Sequence, residues 1–356
     1  MRILFVTTNN IKQSFGGALA SRRNYEMLCS IVGKDAVDFV LLEEYPNKGM
    51  FPKIKKFLHK SILKRQFDLS PIYKIDFGKY DILFNDNSVT GEILRIAQDR
   101  KFGGKKITFF HNCEMSLYSQ MYSNFPWYKR TPLMRIVQAN EKMSLKLSDQ
   151  CVLLNRRDYG DLEKYYPITF NHIVIPITMN DRFEFSKSQA TYKHPKPLFV
   201  FLGSYFGPNV NGILWFLKNV FPYVDIQLQI IGKNMHKIVP KIGDVKNVQV
   251  LSDVKDLDNY LYEADCMLLP IFDGSGMKLK TCEALMFGKN IIGTPEAFVG
   301  YVIDDFCKIG ACCKSAEDFV NAIKQMDKPH FNAYSREIYL KNYSYNASLE
   351  LFKKIL

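Results

Sequence analysis

One stretch of the sequence, Leu268 to Gly293, constrains the fold of this chain more than any other. It reads LLPIFDGSGMKLKTCEALMFGKNIIG, which predicts a buried strand, a glycine-rich loop, a helix and a second buried strand. Apolar strands and helices alternate along the rest of the chain as well, which is the order expected of a parallel β-sheet. The sequence therefore predicts an α/β protein.

The loop in this stretch has the composition of a phosphate-binding loop. Gly274 and Gly276 allow backbone N–H groups to approach a phosphate, and the helix that follows points its positive N-terminal dipole at the same place. Lys278 and Lys280 add full positive charges, and Glu283 lies one helical turn beyond Lys280, where a carboxylate can face a ribose. This combination predicts a nucleotide site. A glycine-containing turn with charged helix residues also occurs in α/β proteins without one.

The chain is long enough for two domains. A length of 356 residues suits two units that each bury their own core. Strands and helices alternate up to Ile175 and again from Leu198 onward, and a polar, proline-flanked stretch separates the two blocks. We therefore predict an amino-terminal domain at 1–180, a linker at 181–196, a carboxyl-terminal domain at 197–334 and a last helix at 335–356.

The carboxyl-terminal block resembles glycosyltransferase family 4. The resemblance rests on the pattern GxGxKxKxxEAxxxGK from Gly274 onward, on the apolar strand and Thr294-Pro295 that follow, and on FLGSYFGPNVNGILWFLKNVFP upstream. It implies the GT-B fold, in which two Rossmann-like domains face each other across a cleft, the first binding the acceptor and the second the nucleotide-sugar donor. It also implies a last helix that packs across the domain interface, and transfer of the sugar with retention of configuration.

The resemblance further implies which residues hold the donor. Glu283 would hold the ribose hydroxyls, Lys280 and the loop amides the diphosphate, and the segment Val250 to Val254 the base through backbone contacts. The donor-binding residues expected on this basis are Gly16, Gly17, Ser204, Asn209, Val250, Val254, Asp273, Gly274, Ser275, Gly276, Met277, Lys278, Lys280 and Glu283.

Two positions depart from the family pattern. The turn from Gly203 to Asn209 lacks the Arg and Lys that commonly clamp the diphosphate, and Lys278 and Lys280 are the candidates to replace them. Ser275 stands where the family commonly has a glutamate. The hydroxyls of the donor sugar are then left to Asp273 or to loop amides.

The amino-terminal block offers fewer candidates. Gly16 and Gly17 follow the first strand, where a GT-B domain lets a glycine pair approach the donor phosphate or the acceptor; an ordinary turn explains them equally well. His111 and Glu114 follow an apolar strand. Because ligands of open α/β sheets bind beyond the carboxyl ends of strands, both are site candidates. The resemblance implies that His111 faces the transferred sugar, although without it the residue reads as a capping or loop histidine. We predict His111, Lys280 and Glu283 as the catalytic residues.

A basic segment predicts contact with a membrane. From Asn47 to Phe67 the chain is rich in Lys and Arg and has no Asp or Glu. Helical spacing places Lys53, Lys56, Lys60 and Lys64 opposite an apolar stripe, as in helices that lie on the anionic inner leaflet of a membrane. The alternative is a solvated basic helix whose apolar stripe meets the core.

The segment from Tyr118 to Arg130, YSQMYSNFPWYKR, is aromatic and ends in basic residues. Amphipathic aromatic rings suit either the rim of an acceptor site or a second contact with a membrane. A packed loop would explain the same composition.

We predict a UDP-sugar as co-substrate, with no cofactor and no metal ion. The motif Asp256-Leu257-Asp258 is similar to the metal-binding DxD of the other major glycosyltransferase fold. Its aspartates, however, open a predicted helix, where they cap backbone N–H groups and complement the dipole. No cluster of His, Cys, Asp and Glu in the sequence has the spacing of metal ligands.

The expected acceptor is a growing glycan on a polyprenyl carrier, as in the assembly of bacterial surface polysaccharides. The opening MRILFVTT is too short for a signal peptide, and no run approaches the roughly 20 apolar residues of a spanning helix. We therefore expect a cytoplasmic protein, peripheral on the inner face of the membrane.

Two other functional classes stay open. One is an epimerase of the same fold that acts on a nucleotide sugar without an acceptor. The other is a non-enzymatic nucleic-acid binder, which would explain the net charge of +12 but not the lysines and the glutamate around the glycine-rich loop. We rank it last and expect no nucleic acid among the partners.

Overall fold

The computed structural model describes residues 1–13, 16–45, 66–188, 194–274, 276–326 and 330–356. These residues divide into two compact units, of which the first contains Met1–Pro176 and Leu349–Leu356 and the second Ile177–Ser348. Some residues predicted from the sequence lie outside the described residues. They are Ser275 of the glycine-rich loop and the four predicted membrane-contact residues, Lys53, Lys56, Lys60 and Lys64.

The first unit is a six-stranded sheet with helices between the strands. Its longer elements are β1 (Ile3–Thr7), α1 (Gly16–Val32), β2 (Val37–Leu41), β3 (Ile82–Asn85), α2 (Glu92–Asp99), β4 (Lys105–Phe110), α3 (Glu114–Met121), α4 (Trp127–Leu147), β5 (Gln150–Leu153), α5 (Arg156–Tyr165) and β6 (His172–Val174). The sheet order is β2-β1-β3-β4-β5-β6, with all neighbours parallel. Every residue of β1 is buried, as expected for a parallel strand covered on both faces.

The second unit contains another parallel sheet. Its longer elements are β7 (Leu198–Leu202), α6 (Gly207–Asn219), β8 (Gln227–Gly232), β9 (Val248–Ser252), α7 (Asp258–Glu263), β10 (Cys266–Leu269), α8 (Leu279–Met286), β11 (Asn290–Gly293), β12 (Gly310–Cys312), α9 (Ala316–Lys324) and α10 (Ala333–Ile338). The last helix, α11 (Tyr345–Ile355), begins in the second unit and ends in the first. One-turn helices lie between longer elements at Ser70–Tyr73 in the first unit, and at Phe185–Ser188, Val239–Ile242 and Phe306–Ile309 in the second. The sheet order is β12-β11-β10-β7-β8-β9. Counted within the unit this is the Rossmann order 3-2-1-4-5-6.

The prediction of an α/β protein with two Rossmann-like domains is confirmed by these two sheets. The stretch from Leu268 to Gly293 forms the end of β10, the glycine-rich loop, α8 and β11, as its apolar pattern predicts. The aromatic segment from Tyr118 to Arg130 contains the end of α3, a short connection and the start of α4.

Residues 335–356 form two helices rather than one. After α10, a π-helical turn at Tyr339–Tyr343 leads to Ser344, whose backbone is extended. The Ser344 hydroxyl donates to the carbonyl of Leu340 at 2.8 Å and accepts the N–H of Ala347 at 3.3 Å. One serine therefore ends the first helix and caps the second, a role that the apolar pattern of the segment does not reveal.

The last eight residues belong to the first unit. The ring of Phe352 is fully buried, 6.3 Å from the ring of Phe84 and 5.7 Å from the guanidinium of Arg23. Lys105 Nζ donates to the carbonyl of Ile355 at 2.7 Å. These contacts hold the carboxyl-terminal end of α11 against the first sheet.

Each sheet reverses its strand order once, between β1 and β3 in the first unit and between β7 and β10 in the second. Ligands of open α/β sheets bind beyond the carboxyl ends of the strands at this point. In the second unit, α6 approaches the end of β10 so closely that a Cβ on Gly212 would stand 1.8 Å from the carbonyl oxygen of Pro270. A glycine is therefore required where α6 crosses the reversal point.

We expect Gly212→Ala to lower the free energy of unfolding by about 1–3 kcal/mol or more, because backbone rather than a flexible side chain must move. Gly160→Ala is the matched control, since Gly160 also lies inside a helix but has no atom within 4 Å of the place that an added Cβ would occupy; it should gain about 0.5–1 kcal/mol. Urea unfolding measures both. Equal stability of the two variants would contradict the close approach of α6 to Pro270.

Candidate functional site

The glycine-rich loop between β10 and α8 has two glycines with positive φ. Gly274 has φ +131° and Gly276 has φ +64°, and L side chains rarely adopt such conformations. Lys278 Nζ donates to the carbonyl of Gly276 at 3.0 Å and pairs with Glu296 Oε1 at 2.7 Å. Lys278 therefore fixes the shape of the loop, and Glu296 balances its charge. Asp273, at the start of the loop, is exposed.

Lys280 lies near the N-terminal end of α8 and faces the turn after β7. Its Nζ donates to Asn209 Oδ1 at 2.7 Å, and the amide of Asn209 donates to the carbonyl of Ser204 at 3.0 Å. The ammonium also lies 4.7 Å from the ring centroid of Phe201. The structure thus brings together three predicted donor residues, Lys280, Asn209 and Ser204, beside the reversal point of the second sheet.

Among the residues that the structure describes, the charge of Lys280 has no close counterion. Burial, and then repulsion from Lys278, lower the pKa of Lys280 to about 7, and the attraction of Glu283 offsets them only in part. Within the described parts of the chain, Lys280 forms no ion pair. An anion bound beside its Nζ would stabilise the ammonium form, because an opposite charge favours the charged state.

Glu283 has a partner that sequence reasoning missed. Arg182 NH2 lies 3.3 Å from Glu283 Oε1, and Arg182 Nε donates to Asp258 Oδ1 at 3.1 Å. Burial raises the pKa of Glu283, and the charge and hydrogen bond of Arg182 oppose that rise. Arg182 lies in the predicted linker, about 100 positions from Glu283, so no local sequence signal connects them.

The aspartates of the DxD-like motif have structural partners. Asp256 Oδ1 accepts the backbone N–H of Asp258 at 2.9 Å, and Asp258 pairs with Arg182. Within the described residues, no group of three or more His, Cys, Asp and Glu side chains is arranged to hold a metal ion.

Three other predicted donor residues of the second unit, Met277, Val250 and Val254, differ in their surroundings. The Met277 sulfur accepts the N–H of Ile177 at 3.4 Å, and Val250 packs against the apolar core, so both side chains are occupied. Val254 follows β9 and lines a pocket of about 480 Å³. The other residues that line this pocket are Lys255, Asp256, Asn259, Tyr260 and Glu263.

His111 lies at the end of β4 in a buried polar cluster of the first unit. Its Nε2 donates to the carbonyl of Asp86 at 2.9 Å and lies 3.4 Å from Asp86 Oδ2. Ser21 Oγ is 3.5 Å from the same nitrogen. Burial lowers the pKa of the ring, but the charge and hydrogen bonds of Asp86, together with Glu114, outweigh it and raise the His111 pKa above its ordinary value.

The residues that hold Asp86 come from β1 and α1. Thr7 Oγ1 donates to Asp86 Oδ2 at 2.9 Å, and Asn24 Nδ2 donates to Oδ1 at 2.6 Å. Gly16 and Gly17 form the first residues of α1, the helix that carries Asn24. The predicted glycine pair thus begins the helix that supports the histidine, and the structure adds Asp86 to the candidate residues.

Two buried glutamates lie close to this cluster. Glu141, on α4, accepts the backbone N–H groups of Glu114 at 2.8 Å and Met115 at 3.2 Å, and the hydroxyl of Tyr166 at 2.9 Å. Burial raises the pKa of Glu141 to about 7, and burial together with the charge of Glu141 raises the pKa of Glu114 to about 7. Glu114 is a site candidate of the sequence analysis, because it follows the end of a strand, whereas Glu141 was not predicted as a site residue.

Glu114 also lines a pocket of about 460 Å³ beside the reversal point of the first sheet. The pocket lining is rich in carboxamide and carboxylate side chains, which suit hydroxyl groups of a ligand. The lining residues are Thr8, Asn9, Asn10, Gln13, Leu41, Leu42, Glu43, Glu44, Gln66, Phe67, Asn87, Val89, Glu114 and Tyr118.

We expect Glu114→Gln to raise the free energy of unfolding by about 2 kcal/mol more at pH 8 than at pH 5. The folded pKa of Glu114, about 7, is above the value of an unfolded glutamate, so its ionisation destabilises the folded state as pH rises through this range. Urea unfolding at both pH values provides the measurement. The exposed Glu317 serves as the control, because Glu317→Gln should change little with pH; a pH-independent effect of Glu114→Gln would contradict the prediction.

Comparison with known proteins supports the fold of the whole chain. Residues 196–327 match the family described as Glycosyl transferases group 1. Sucrose-phosphate synthase from Thermosynechococcus elongatus superposes with a TM-score of 0.73 at 14% identity, over 99% of this chain and 98% of that one. A glycosyltransferase from Rickettsia africae gives 0.67 at 14% identity, with the same coverage of both chains.

A third similar structure was solved with a nucleotide sugar. Alr3699/HepE from Anabaena, in complex with UDP-glucose, superposes with a TM-score of 0.64 at 11% identity, over 99% of this chain and 98% of that one. No curated protein matches the chain in sequence. These likenesses show the fold: the chain has the GT-B fold with two Rossmann-like domains.

Proposed function

We propose that this protein is a glycosyltransferase of family 4 that moves a sugar from a UDP-sugar to a glycan or polyprenyl-linked acceptor with retention of configuration. The observation that carries the proposal is the position of Lys280, held by Asn209 at the reversal point of the second sheet without an ion-pair partner in the described chain. The match of residues 196–327 to Glycosyl transferases group 1 supports it. So does the likeness to a structure that contains UDP-glucose.

The chemistry of the proposed reaction requires positive potential at the leaving group. When the bond between the sugar and the β-phosphate breaks, negative charge develops on the diphosphate. Lys280 and the backbone N–H groups of the glycine-rich loop supply positive charge and hydrogen-bond donors without a metal ion. Lys278 keeps the loop in shape through Gly276, and Glu283 binds the ribose hydroxyls.

In the proposed mechanism, the acceptor hydroxyl attacks from the face that the leaving group departs, and the diphosphate takes its proton. His111 positions the sugar, with Asp86 orienting the ring. We expect His111→Ala to lower kcat about 100-fold, the cost of misplacing the reacting sugar, measured by release of UDP in the presence of acceptor. Asp86→Asn is tested in parallel. This variant should fold, and it should lower kcat less than His111→Ala does. Near-normal turnover of His111→Ala would remove the histidine from the mechanism.

We further propose that the protein acts on the inner face of an anionic membrane in bacterial surface polysaccharide assembly, with the pocket beside Glu114 as the acceptor site. The carboxamide and carboxylate lining of the pocket supports a glycan acceptor. No helix in the described residues is long and apolar enough to cross a membrane.

Thermal shift with UDP-, GDP- and ADP-sugars tests the donor, because a ligand of the folded state raises the apparent Tm according to its affinity. We expect a shift with UDP-sugars that is lost in Lys280→Met. No shift with any nucleotide sugar, together with salt-dependent binding of DNA, would favour the nucleic-acid binder instead. Conversion of the donor sugar to its epimer in the absence of acceptor would favour the epimerase.

A further inference from the structure

Exposed apolar side chains cluster where α3 ends and α4 begins. Met121 is 50% exposed, Phe125 49%, Trp127 78% and Tyr128 58%. They are four of the thirteen strongly exposed large apolar residues in the described part of the chain, and all four lie within eight positions. Single exposed apolar side chains are ordinary, whereas a contiguous group marks a surface that meets an apolar partner.

The same surface is positively charged. Between Glu114 and Glu141 the sequence has Lys129, Arg130 and Arg135 but no acidic residue. Lys129 Nζ lies 5.9 Å from the ring centroid of Tyr128, so cations and rings share one surface. None of the three cations pairs with a carboxylate among the described residues. We name Met121, Phe125, Trp127, Tyr128, Lys129 and Arg130 the aromatic-basic patch.

We propose that the aromatic-basic patch is the surface by which this protein docks on an anionic lipid membrane. Tryptophan and tyrosine favour the headgroup level of a bilayer, where the ring is in an apolar layer and the polar atom in a wet one. Lysine and arginine beside them are attracted to anionic lipids. Met121 and Phe125 carry no polar group, so they gain from the acyl boundary rather than from a polar partner.

A chain of rings connects this patch to the pocket of the first unit. Tyr118 lines the pocket, its ring lies 5.6 Å from that of Tyr122, and Tyr122 lies 4.8 Å from Phe125 in the patch. On the basis of the proposed function, the glycan of a lipid-linked acceptor would occupy the pocket while its lipid stays in the membrane under the patch. The docking itself needs neither donor nor acceptor.

Sedimentation with vesicles tests the proposal without any substrate. We compare vesicles of phosphatidylglycerol and phosphatidylcholine with vesicles of phosphatidylcholine alone. The variant Trp127→Ala/Tyr128→Ala/Lys129→Gln/Arg130→Gln should bind the anionic vesicles at least about 25-fold more weakly than the unchanged protein, from roughly fivefold for each cation and a further loss from the rings. A matched control, Lys324→Gln/Lys341→Gln, removes two exposed cations of the second unit and should lose much less.

Tryptophan fluorescence reports on the patch itself. The chain has two tryptophans, and Trp215 packs in the second unit against Phe272 and Phe319 at 4.6 and 5.7 Å between ring centroids. In Trp215→Phe, Trp127 is the only reporter. We expect its emission to shift to the blue and its quenching by acrylamide to fall when anionic vesicles are added.

Four results would overturn the proposal. These are equal binding to anionic and neutral vesicles, no binding to either, no change in Trp127 emission, and patch-variant binding equal to that of the unchanged protein. A variant with Lys53, Lys56, Lys60 and Lys64 changed to Gln shows in the last case whether the basic segment is the contact instead. If the patch binds a single-stranded oligonucleotide and not vesicles, the surface serves nucleic acid. A UDP-sugar thermal shift, measured separately, shows whether the proposed transferase function stands in any of these cases.

Discussion

Lys280→Met is expected to lower kcat/KM with a UDP-sugar by about 100- to 1000-fold, the effect of removing one preorganised group that stabilises developing negative charge. Methionine has a similar length and keeps the packing on Phe201, so the change removes the charge and the hydrogen bond to Asn209. Steady-state kinetics measures the loss. A fall of less than about threefold would mean that the diphosphate is held elsewhere.

The pH dependence of donor binding gives a second signature of Lys280. In the free protein the pKa of Lys280 is about 7, and a bound diphosphate raises it, because an anion favours the ammonium. Donor affinity should therefore be highest below pH ~7 and fall by up to tenfold per pH unit above it, until the pKa of the bound state is reached. Calorimetry with a UDP-sugar in buffers of different ionisation enthalpy would measure both the affinity and the proton uptake.

Two variants separate Lys280 from other titrating groups. Lys280→Arg keeps a positive charge at every accessible pH, so donor binding should lose its slope above pH ~7 while part of the affinity remains. Lys280→Met should bind weakly at all pH values. If the slope persists in both variants, another group, such as a histidine or a carboxylate, is responsible for the proton uptake.

Much of the fold could be predicted because it depends on short-range patterns. The buried strands are apolar runs, and the alternation of strands and helices specifies parallel sheets. The break at Ser344 could not be predicted, because it depends on a serine that bonds to Leu340 and Ala347, and serine occurs inside helices as well. The approach of α6 to Pro270 was invisible for a similar reason, since a glycine in a helix gives no sign of what lies against it.

The donor site was only partly predictable. Lys280 and Glu283 lie on one short helix, so their spacing in sequence predicts their proximity. Lys278 carries the same charge two positions earlier, yet it pairs with Glu296 across the loop. The role of Arg182 depends on a contact over about 100 positions, which no local pattern reports.

The polar cluster of the first unit shows the same limit. His111 could be proposed from its place at a strand end, but Asp86 reaches it from a different strand. Glu114 could be proposed with His111 from its place beyond the strand end, but Glu141 comes from another helix and looks like an ordinary surface glutamate in the sequence. Burial raises the pKa of both glutamates to about 7, and the charge of Glu141 adds to the rise for Glu114. Both effects are properties of the packed unit.

Glu283→Gln is expected to weaken UDP-sugar binding by about 10- to 100-fold, the effect of losing hydrogen bonds between a carboxylate and the ribose hydroxyls. Glutamine fills the same space but has one accepting oxygen and no charge. A donor with 2′-deoxyribose gives a direct test of the assigned contact. The unchanged protein should bind the deoxy donor about tenfold more weakly than the ribose donor, and Glu283→Gln should hardly distinguish the two.

The variant Arg182→Met tests whether the contact between Glu283 and the ribose depends on the ion pair between Arg182 and Glu283. In Arg182→Met, Glu283 loses the charge that opposes the rise of its pKa, so the pKa should rise further and the carboxylate should protonate nearer to neutral pH. Donor affinity in this variant should then improve as pH rises and Glu283 ionises, a trend opposite to the one expected from Lys280. The preference of this variant for the ribose donor over the deoxyribose donor should also increase as Glu283 ionises. If Glu283→Gln keeps the full discrimination, the ribose is bound by other groups, and Arg182 and Glu283 form a structural pair.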